Sequence, residues 1–247
     1  MPDINRRAFL TITASAAAGL GLSACTTTTA QQQTPVVVAS YAPTDGPPPP
    51  LYSALQLPPP NLMYAAIDTE PFPVPAIKNS HLKPEFMRTV VPNTTGEPAG
   101  TIVVDPQAHY LYLVQDNGMA IRYGVGVGKQ GFAWSGEAVI KFKREWPDWY
   151  PPKEMIERRP DLLPQLTELQ SGIGMAGGQN NPLGVRALYL WQGNVDTLYR
   201  IHGTTEPWSI GQSVSSGCIR MINQDVMDLY ARTPLETRVV VVGSDMV

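Results

Sequence analysis

Thr101-Ile102-Val103-Val104-Asp105-Pro106, then Tyr110-Leu111-Tyr112-Leu113-Val114 and the dipeptide Asn117-Gly118, form the stretch that sets the fold class. An apolar run, a proline placed for a tight turn and a second apolar–aromatic run predict a hairpin. Asn117-Gly118 suits the positive φ angles of a hairpin turn, and so predicts a further strand over Ala120 to Val127. Downstream, Val139 to Phe142, Arg186 to Trp191, Thr197 to His202 and Arg238 to Val242 have the same texture, with turn signals at Gly193-Asn194. Short strands at this spacing predict a mainly β domain, a sandwich or barrel-like sheet. One or two short helices interrupt it. Lys153 to Arg159 follows Pro151-Pro152 and stops before Pro160. Asn223 to Arg232 reads as a helix with Asn223 as N-cap, Val226, Leu229 and Tyr230 on one face, and Pro234 beyond its end.

Working outward, the N-terminal part has a different character. The chain holds 25 prolines among 247 residues, crowded towards this end. Residues 26–60 are rich in Thr, Gln and Pro, a composition that buries too little surface to fold and favours extended polyproline II. They read as a disordered, semi-rigid stem. Residues 61–99 carry Leu62, Met63, Ile67, Phe72 and Phe86, and are expected to pack on the following domain as an irregular arm. The domain itself is placed at 100–243.

Residues 1–25 read as an address. Arg6-Arg7 precede Phe9-Leu10 and a weakly apolar stretch, Thr11 to Leu22, too short to span a bilayer stably. The arginine pair resembles a twin-arginine export signal, and an ordinary Sec signal fits as well. Leu22-Ser23-Ala24-Cys25 looks like a lipobox, in which Cys25 is lipidated. The expectation is an exported, periplasmic lipoprotein. A net charge of −3 without a long like-charge run argues against a nucleic-acid partner, and leaves the lipid as the link to a membrane.

Of two cysteines, Cys25 belongs to the address, so the mature domain keeps one thiol, Cys218. A lone thiol in an oxidising compartment needs explaining. It lies in Ser215-Ser216-Gly217-Cys218-Ile219-Arg220-Met221, a short loop after Ile201-His202-Gly203-Thr204-Thr205. A thiol is a nucleophile as its thiolate, and an imidazole generates that by taking the proton and later returning it to a leaving amine. Gly217 lets backbone approach a substrate, where successive N–H groups would face an oxyanion. Arg220 could present its fork to a carboxylate. Trp146, Trp149 and Tyr150 are candidates for a substrate groove or for core. Taken singly, the plainer readings win: a lone cysteine in a β domain is more often a small buried hydrophobe. One His and one Cys fall short of a metal site. Gly126-Val127-Gly128 lacks the third glycine and following acid of a dinucleotide loop. No metal or cofactor is expected.

Together the residues resemble a specific family. His202-Gly203-Thr204, a loop, then Ser-x-Gly-Cys-Ile-Arg-Met is similar to the signature of the L,D-transpeptidase catalytic domain, called YkuD. Gly126-Val127-Gly128, Trp146-Pro147 and Asn181 to Leu190 are similar to segments upstream in many members, so the resemblance covers roughly Gly100 to Val242. One departure is Ser216, where many members carry a second histidine, which leaves His202 as the imidazole.

The resemblance implies a mainly β fold and a cysteine acyltransferase acting on peptidoglycan stem peptides. Cys218 would be the nucleophile and His202 the proton donor and acceptor, oriented by the backbone carbonyl of Gly203. Gly217 would offer an oxyanion N–H, and Ser216 and Arg220 would contact substrate. It implies 3→3 cross-links formed from tetrapeptide stems through a Cys218 thioester. The same acyl-enzyme passed to water would be a carboxypeptidase; passed to an outer-membrane protein amine, it would anchor that protein. A non-catalytic peptidoglycan-binding lipoprotein is the alternative from another class.

Overall fold

The computed structural model describes residues 57–128, 135–215 and 217–243. The export signal, Cys25 and the stem to residue 56 lie outside the described residues, as does Ser216. The domain is mainly β with a few short helices.

After a single turn of helix, α1 (Pro60–Met63), the first strands are β1 (Thr89–Pro92), β2 (Ile102–Asp105), β3 (Tyr110–Val114) and β4 (Met119–Gly124). The predicted hairpins form: Asp105 pairs with Tyr110, and Val114 with Ala120 across the Asn117-Gly118 turn, where Gly118 has φ +75. Asp105 closes the first turn itself, its Oδ1 accepting the N–H groups of Gln107 and Ala108 at 2.9 Å each. The run expected to continue to Val127 breaks after Gly124, and Val127–Gly128 becomes a separate strand, β5.

Next come β6 (Gly136–Glu145), α2 (Lys153–Arg158), and the small pair β7 (Thr167–Leu169) and β8 (Gly172–Gly174). The C-terminal part holds β9 (Arg186–Gln192), β10 (Val195–His202), β11 (Ser213–Ser215), β12 (Ile219–Arg220), α3 (Asn223–Arg232) and β13 (Arg238–Val241). Nine strands make one sheet in the order β1-β4-β3-β2-β13-β6-β9-β10-β12. The last strand of the chain thus sits mid-sheet, parallel to β2 and antiparallel to β6. Its Val239, Val240 and Val241 are buried, as a strand with neighbours on both sides requires.

Inward residues of the sheet, among them Leu111, Leu113, Ile140, Leu188, Ile201 and Ile219, join Val226 and Leu229 of α3 in one core cluster. The sheet curls over this helix. From one side Tyr123 of β4 donates to Asp228 at 2.7 Å; from the other, Lys143 of β6 donates to the carbonyls of Tyr230 and Thr233 at 2.6 Å each. Helix α3 has the expected span, but Ile222 is its N-cap and no side chain caps it. The N-cap reading of Asn223 is therefore corrected: its Oδ1 reaches across to the backbone N–H groups of Val185 and Thr204.

Residues before β1 lie on this same unit. Val74 enters the core, and Glu70 forms a two-pronged ion pair with Arg186 (2.7 and 3.0 Å) while accepting the Trp146 indole N–H at 2.9 Å. Arg88 meets Asp228 at 2.7 Å and Asp225 at 3.6 Å, and the Tyr64 hydroxyl donates to Asp225.

Candidate active site

β12 lies parallel to β10, with Ile201 opposite Ile219 and His202 opposite Arg220. One step back in this register, Cys218 meets Arg200, whose backbone hydrogen-bonds to the thiol. Side chains alternate along each strand, so Ile201 and Ile219 point into the core while Arg200, His202, Cys218 and Arg220 share the other face. Cys218 and His202, sixteen residues apart in the chain, thereby lie two register positions apart on neighbouring stretches of backbone. The short β12 is held on both edges. Met221 N–H donates to the His202 carbonyl at 2.8 Å, and Arg220 exchanges backbone bonds with Gly126 at 2.7 and 2.9 Å. Gly126 must be glycine for this approach, since a Cβ there would fall 2.6 Å from the Ser209 carbonyl oxygen.

His202 is 4% exposed, and its Nδ1 lies 2.6 Å from the Gly203 carbonyl oxygen. A carbonyl only accepts, so Nδ1 carries the hydrogen and Nε2 keeps its lone pair. Burial pushes the imidazole down to about 4; the Gly203 carbonyl and, more weakly, the Leu183 backbone oppose this, and the positive charges of Arg220 and Arg200 assist it. Cys218 is partly exposed but crowded by protein, and that desolvation pushes its thiol up. The Arg200 backbone and the guanidiniums of Arg200 and Arg220 pull the other way. At neutral pH the pair therefore rests as thiol and neutral imidazole.

The backbone around the thiol is unusual on both sides. Gly217 is buried with φ +129, and a Cβ there would approach the Tyr199 ring to 3.1 Å. On β10 a bulge between Asp196 and Arg200 puts Leu198 at φ +63, and the Leu198 carbonyl stands 4.0 Å from the Cys218 sulfur. Positive φ at a γ-branched residue is costly, of order 1–3 kcal/mol, and such bulges gather beside functional sites. The Leu198 N–H bonded to Asp196 Oδ1 at 2.9 Å helps hold it.

The two guanidiniums are themselves anchored. Arg200 makes a two-pronged pair with Asp196 (2.7 Å each) and lies 4.4 Å over the Tyr189 ring. Arg220 donates to Glu206 at 2.7 Å, so this part of its fork is engaged by the loop that follows His202. Ser216 lies outside the described residues. Arg200 is not among the residues that the motif singles out, although its spacing of two from His202 on a strand is a usable signal. Nothing local pointed to Leu198, Glu206 or Asn223.

A cleft of about 510 Å³ opens beside Arg200, lined also by Trp146, Tyr150, Tyr189, Trp191 and Asp196. Trp146 and Tyr150 line this cleft, whose walls include neither Cys218 nor His202, and Trp146 also packs against the core; Trp149 pairs its backbone with Met175. Among the described residues no cluster of three His, Cys, Asp or Glu side chains could hold a metal ion.

The family whose pattern matches this chain is the L,D-transpeptidase catalytic domain, YkuD, over residues 99–241. That is more than half of the sequence, and the chain belongs to this family. Among curated relatives, the probable L,D-transpeptidase YbiS of Escherichia coli K12 is 29% identical over 157 residues, covering 61% of this chain and 46% of its own. The probable L,D-transpeptidase ErfK/SrfK of the same organism is 28% identical over 158 residues, covering 62% and 46%. The chain spans about half the length of the curated relatives it matches. A solved Brucella melitensis protein, described as a probable carnitine operon oxidoreductase, is 53% identical over 66% of this chain and 98% of its own, with a TM-score of 0.44. That description stays with that protein.

Proposed function

We propose that the chain is a peptidoglycan L,D-transpeptidase that forms 3→3 cross-links through a thioester on Cys218. The observation that carries this reading is that Arg200 and Arg220 act on both Cys218 and His202, whose Nδ1–H is held by Gly203. As Sγ attacks the carbonyl of the third stem residue, its proton passes to Nε2 of the neutral imidazole. Backbone N–H groups of Gly217 and Cys218 face the oxyanion, in a setting made more positive by Arg200 and Arg220. Collapse breaks the bond to the terminal D-Ala, whose amine leaves with the proton from Nε2. The side-chain amine of a second stem then attacks the thioester and gives a proton to His202, which returns it to the departing sulfur.

The amide bond that breaks supplies the driving force, so no nucleotide is consumed. Arg220 braces the loop through Glu206, and substrate contact is assigned to Arg220 and Ser216 from the family motif. We place the enzyme in the periplasm, tethered by a lipid on Cys25, with the stem as spacer. Incubation of the purified protein with disaccharide-tetrapeptide, read by mass spectrometry, tests the reading. Dimers linked 3→3 support it. Tripeptide alone means that water is the acceptor, and transfer to an outer-membrane protein amine means an anchoring enzyme. If the protein takes up no carbapenem covalently, or if Cys218→Ala still does, catalysis by this thiol is excluded.

A further inference from the structure

We propose that Asn223 is a positioning residue for His202, acting through the one peptide group that joins Gly203 to Thr204. The inference rests on the reading of His202 as the base. Asn223 Oδ1 accepts the N–H of Thr204 at 3.2 Å and that of Val185 at 3.3 Å. The carbonyl of that same Gly203–Thr204 peptide stands 2.6 Å from His202 Nδ1. A peptide group is planar, so whatever fixes its N–H also fixes the direction of its C=O. The chain of causes runs from the Asn223 amide to the Thr204 N–H, to the Gly203 carbonyl, to the imidazole. Both groups that face the Asn223 amide are backbone donors, so its oxygen must be the atom turned towards them. Accepting from the Thr204 N–H also polarises the peptide and makes Gly203 a better acceptor for Nδ1–H.

The surroundings are built to admit this amide. A Cβ on Gly203 would lie 2.2 Å from Asn223 Oδ1, and one on Gly184 would lie 2.3 Å from it. Both glycines therefore leave the room that the side chain occupies. The second acceptance, from Val185, ties the peptide to the start of β9, where Gly203 N–H also donates to the Arg186 carbonyl at 3.1 Å. Asn223 is itself the first residue of α3, anchored by the buried Gln224, Asp225 and Val226. The site thus takes its orientation from a helix packed in the core rather than from the loop alone. Without the amide, the Gly203–Thr204 peptide is free to turn, its carbonyl leaves Nδ1, and the ring is no longer held in one orientation.

Two readouts on the purified full chain test this: the kinetics of covalent acylation by a carbapenem, and the tautomer of His202 by NMR of isotope-labelled histidine rings. Asn223→Ala is expected to lower the limiting acylation rate about ten- to a hundredfold. The half-saturating carbapenem concentration should stay within about threefold, because groups that bind the ligand are untouched. The ring should shift from pure Nδ1–H to a mixture of tautomers. Asn223→Asp keeps an acceptor for both N–H groups and should restore the Nδ1–H tautomer and most of the rate. An unchanged tautomer and rate in Asn223→Ala overturn the proposal, as does a loss confined to half-saturation. Should Asn223→Ala not fold, Asn223→Asp decides alone: a retained Nδ1–H tautomer supports the proposal and a lost one overturns it. If wild-type protein fails to acylate, or acylates without His202, the functional reading fails, while the tautomer still reports on Asn223 separately.

Discussion

Two groups of charged and titratable side chains differ in how they meet burial. Before β1, Arg88 is 5% exposed against Asp225 and Asp228, with Tyr64 and Tyr123 bonded to the same carboxylates. Burial lifts the Asp225 carboxyl to about 7, against the pull of Arg88. Burial also works against Asp228, yet Arg232 and Arg88 hold it below the usual carboxylate range. Asp228, the closer partner, is held ionised, and positive meets negative inside the fold.

At the edge formed by β10 and β12 the arrangement is lopsided. Arg200 and Arg220 stand near Cys218 and His202, while their own counter-ions are turned outward, Asp196 31% and Glu206 49% exposed. Solvent weakens those pairs, so part of the positive field reaches the thiol and the ring. One cluster sets buried guanidiniums directly against buried carboxyl groups and holds structure. The other leaves a charge imbalance beside a neutral thiol and a neutral imidazole.

The comparison breaks most sharply at Cys218. Cys218→Ala should abolish covalent adduct and product, while unfolding free energy moves by only about 1 kcal/mol. Chemical denaturation with intact-mass analysis reads both. Arg88→Ala should do the reverse. It strands buried carboxylates and should cost about 3–5 kcal/mol in urea unfolding, with the acylation rate per folded molecule unchanged. A parallel fall in that rate would mean that the clusters are coupled.

Glu70→Gln should cost about 1–3 kcal/mol, since it weakens a charge-assisted pair with the buried Arg186. Arg186 holds the Glu70 carboxyl below its ordinary value of 4.5. A depressed acid stabilises the fold above its unfolded value and ceases to do so as pH falls through the folded one. The gap between wild type and Glu70→Gln should therefore close in acid.

The smallest effect concerns the rate–pH profile. With His202 pushed down to about 4, its neutral ring persists well below neutrality. Acylation should change by less than about twofold between roughly pH 7 and 5. A fall centred near 6.5 would mean a ring solvated like an ordinary histidine, and the contrast between the clusters would be lost.

Much of the domain could be read along the chain. Strand β3 and helix α3 have the expected bounds, and β2, β9, β10 and β13 differ from expectation by a residue or two at an end. These segments advertise themselves through local periodicity. β6 is longer than the expected Val139 to Phe142 because its ends carry Glu137, Lys143, Arg144 and Glu145, polar residues with no apolar signature. β12 was missed because two residues carry no period, and it exists through its neighbours β10 and Gly126. Cys218, His202, Gly203 and Gly217 could be named from their motif. Arg200 offered only its spacing of two from His202, and Leu198 and Asn223 offered no local signal, since their contacts depend on who stands across from them.

By itself, then, the sequence determined the β character, the helix before the last strand and the motif that marks the family, all encoded within a few neighbouring residues. Only the tertiary structure decided that β13 lies between β2 and β6, that Arg200 and Cys218 are neighbours, and that a side chain on α3 reaches the peptide next to His202. Such contacts join groups from 18 residues apart, as with Arg200 and Cys218, to 161 apart, as with Tyr64 and Asp225. Their strength depends on burial and on partners brought together by folding, which no local pattern records.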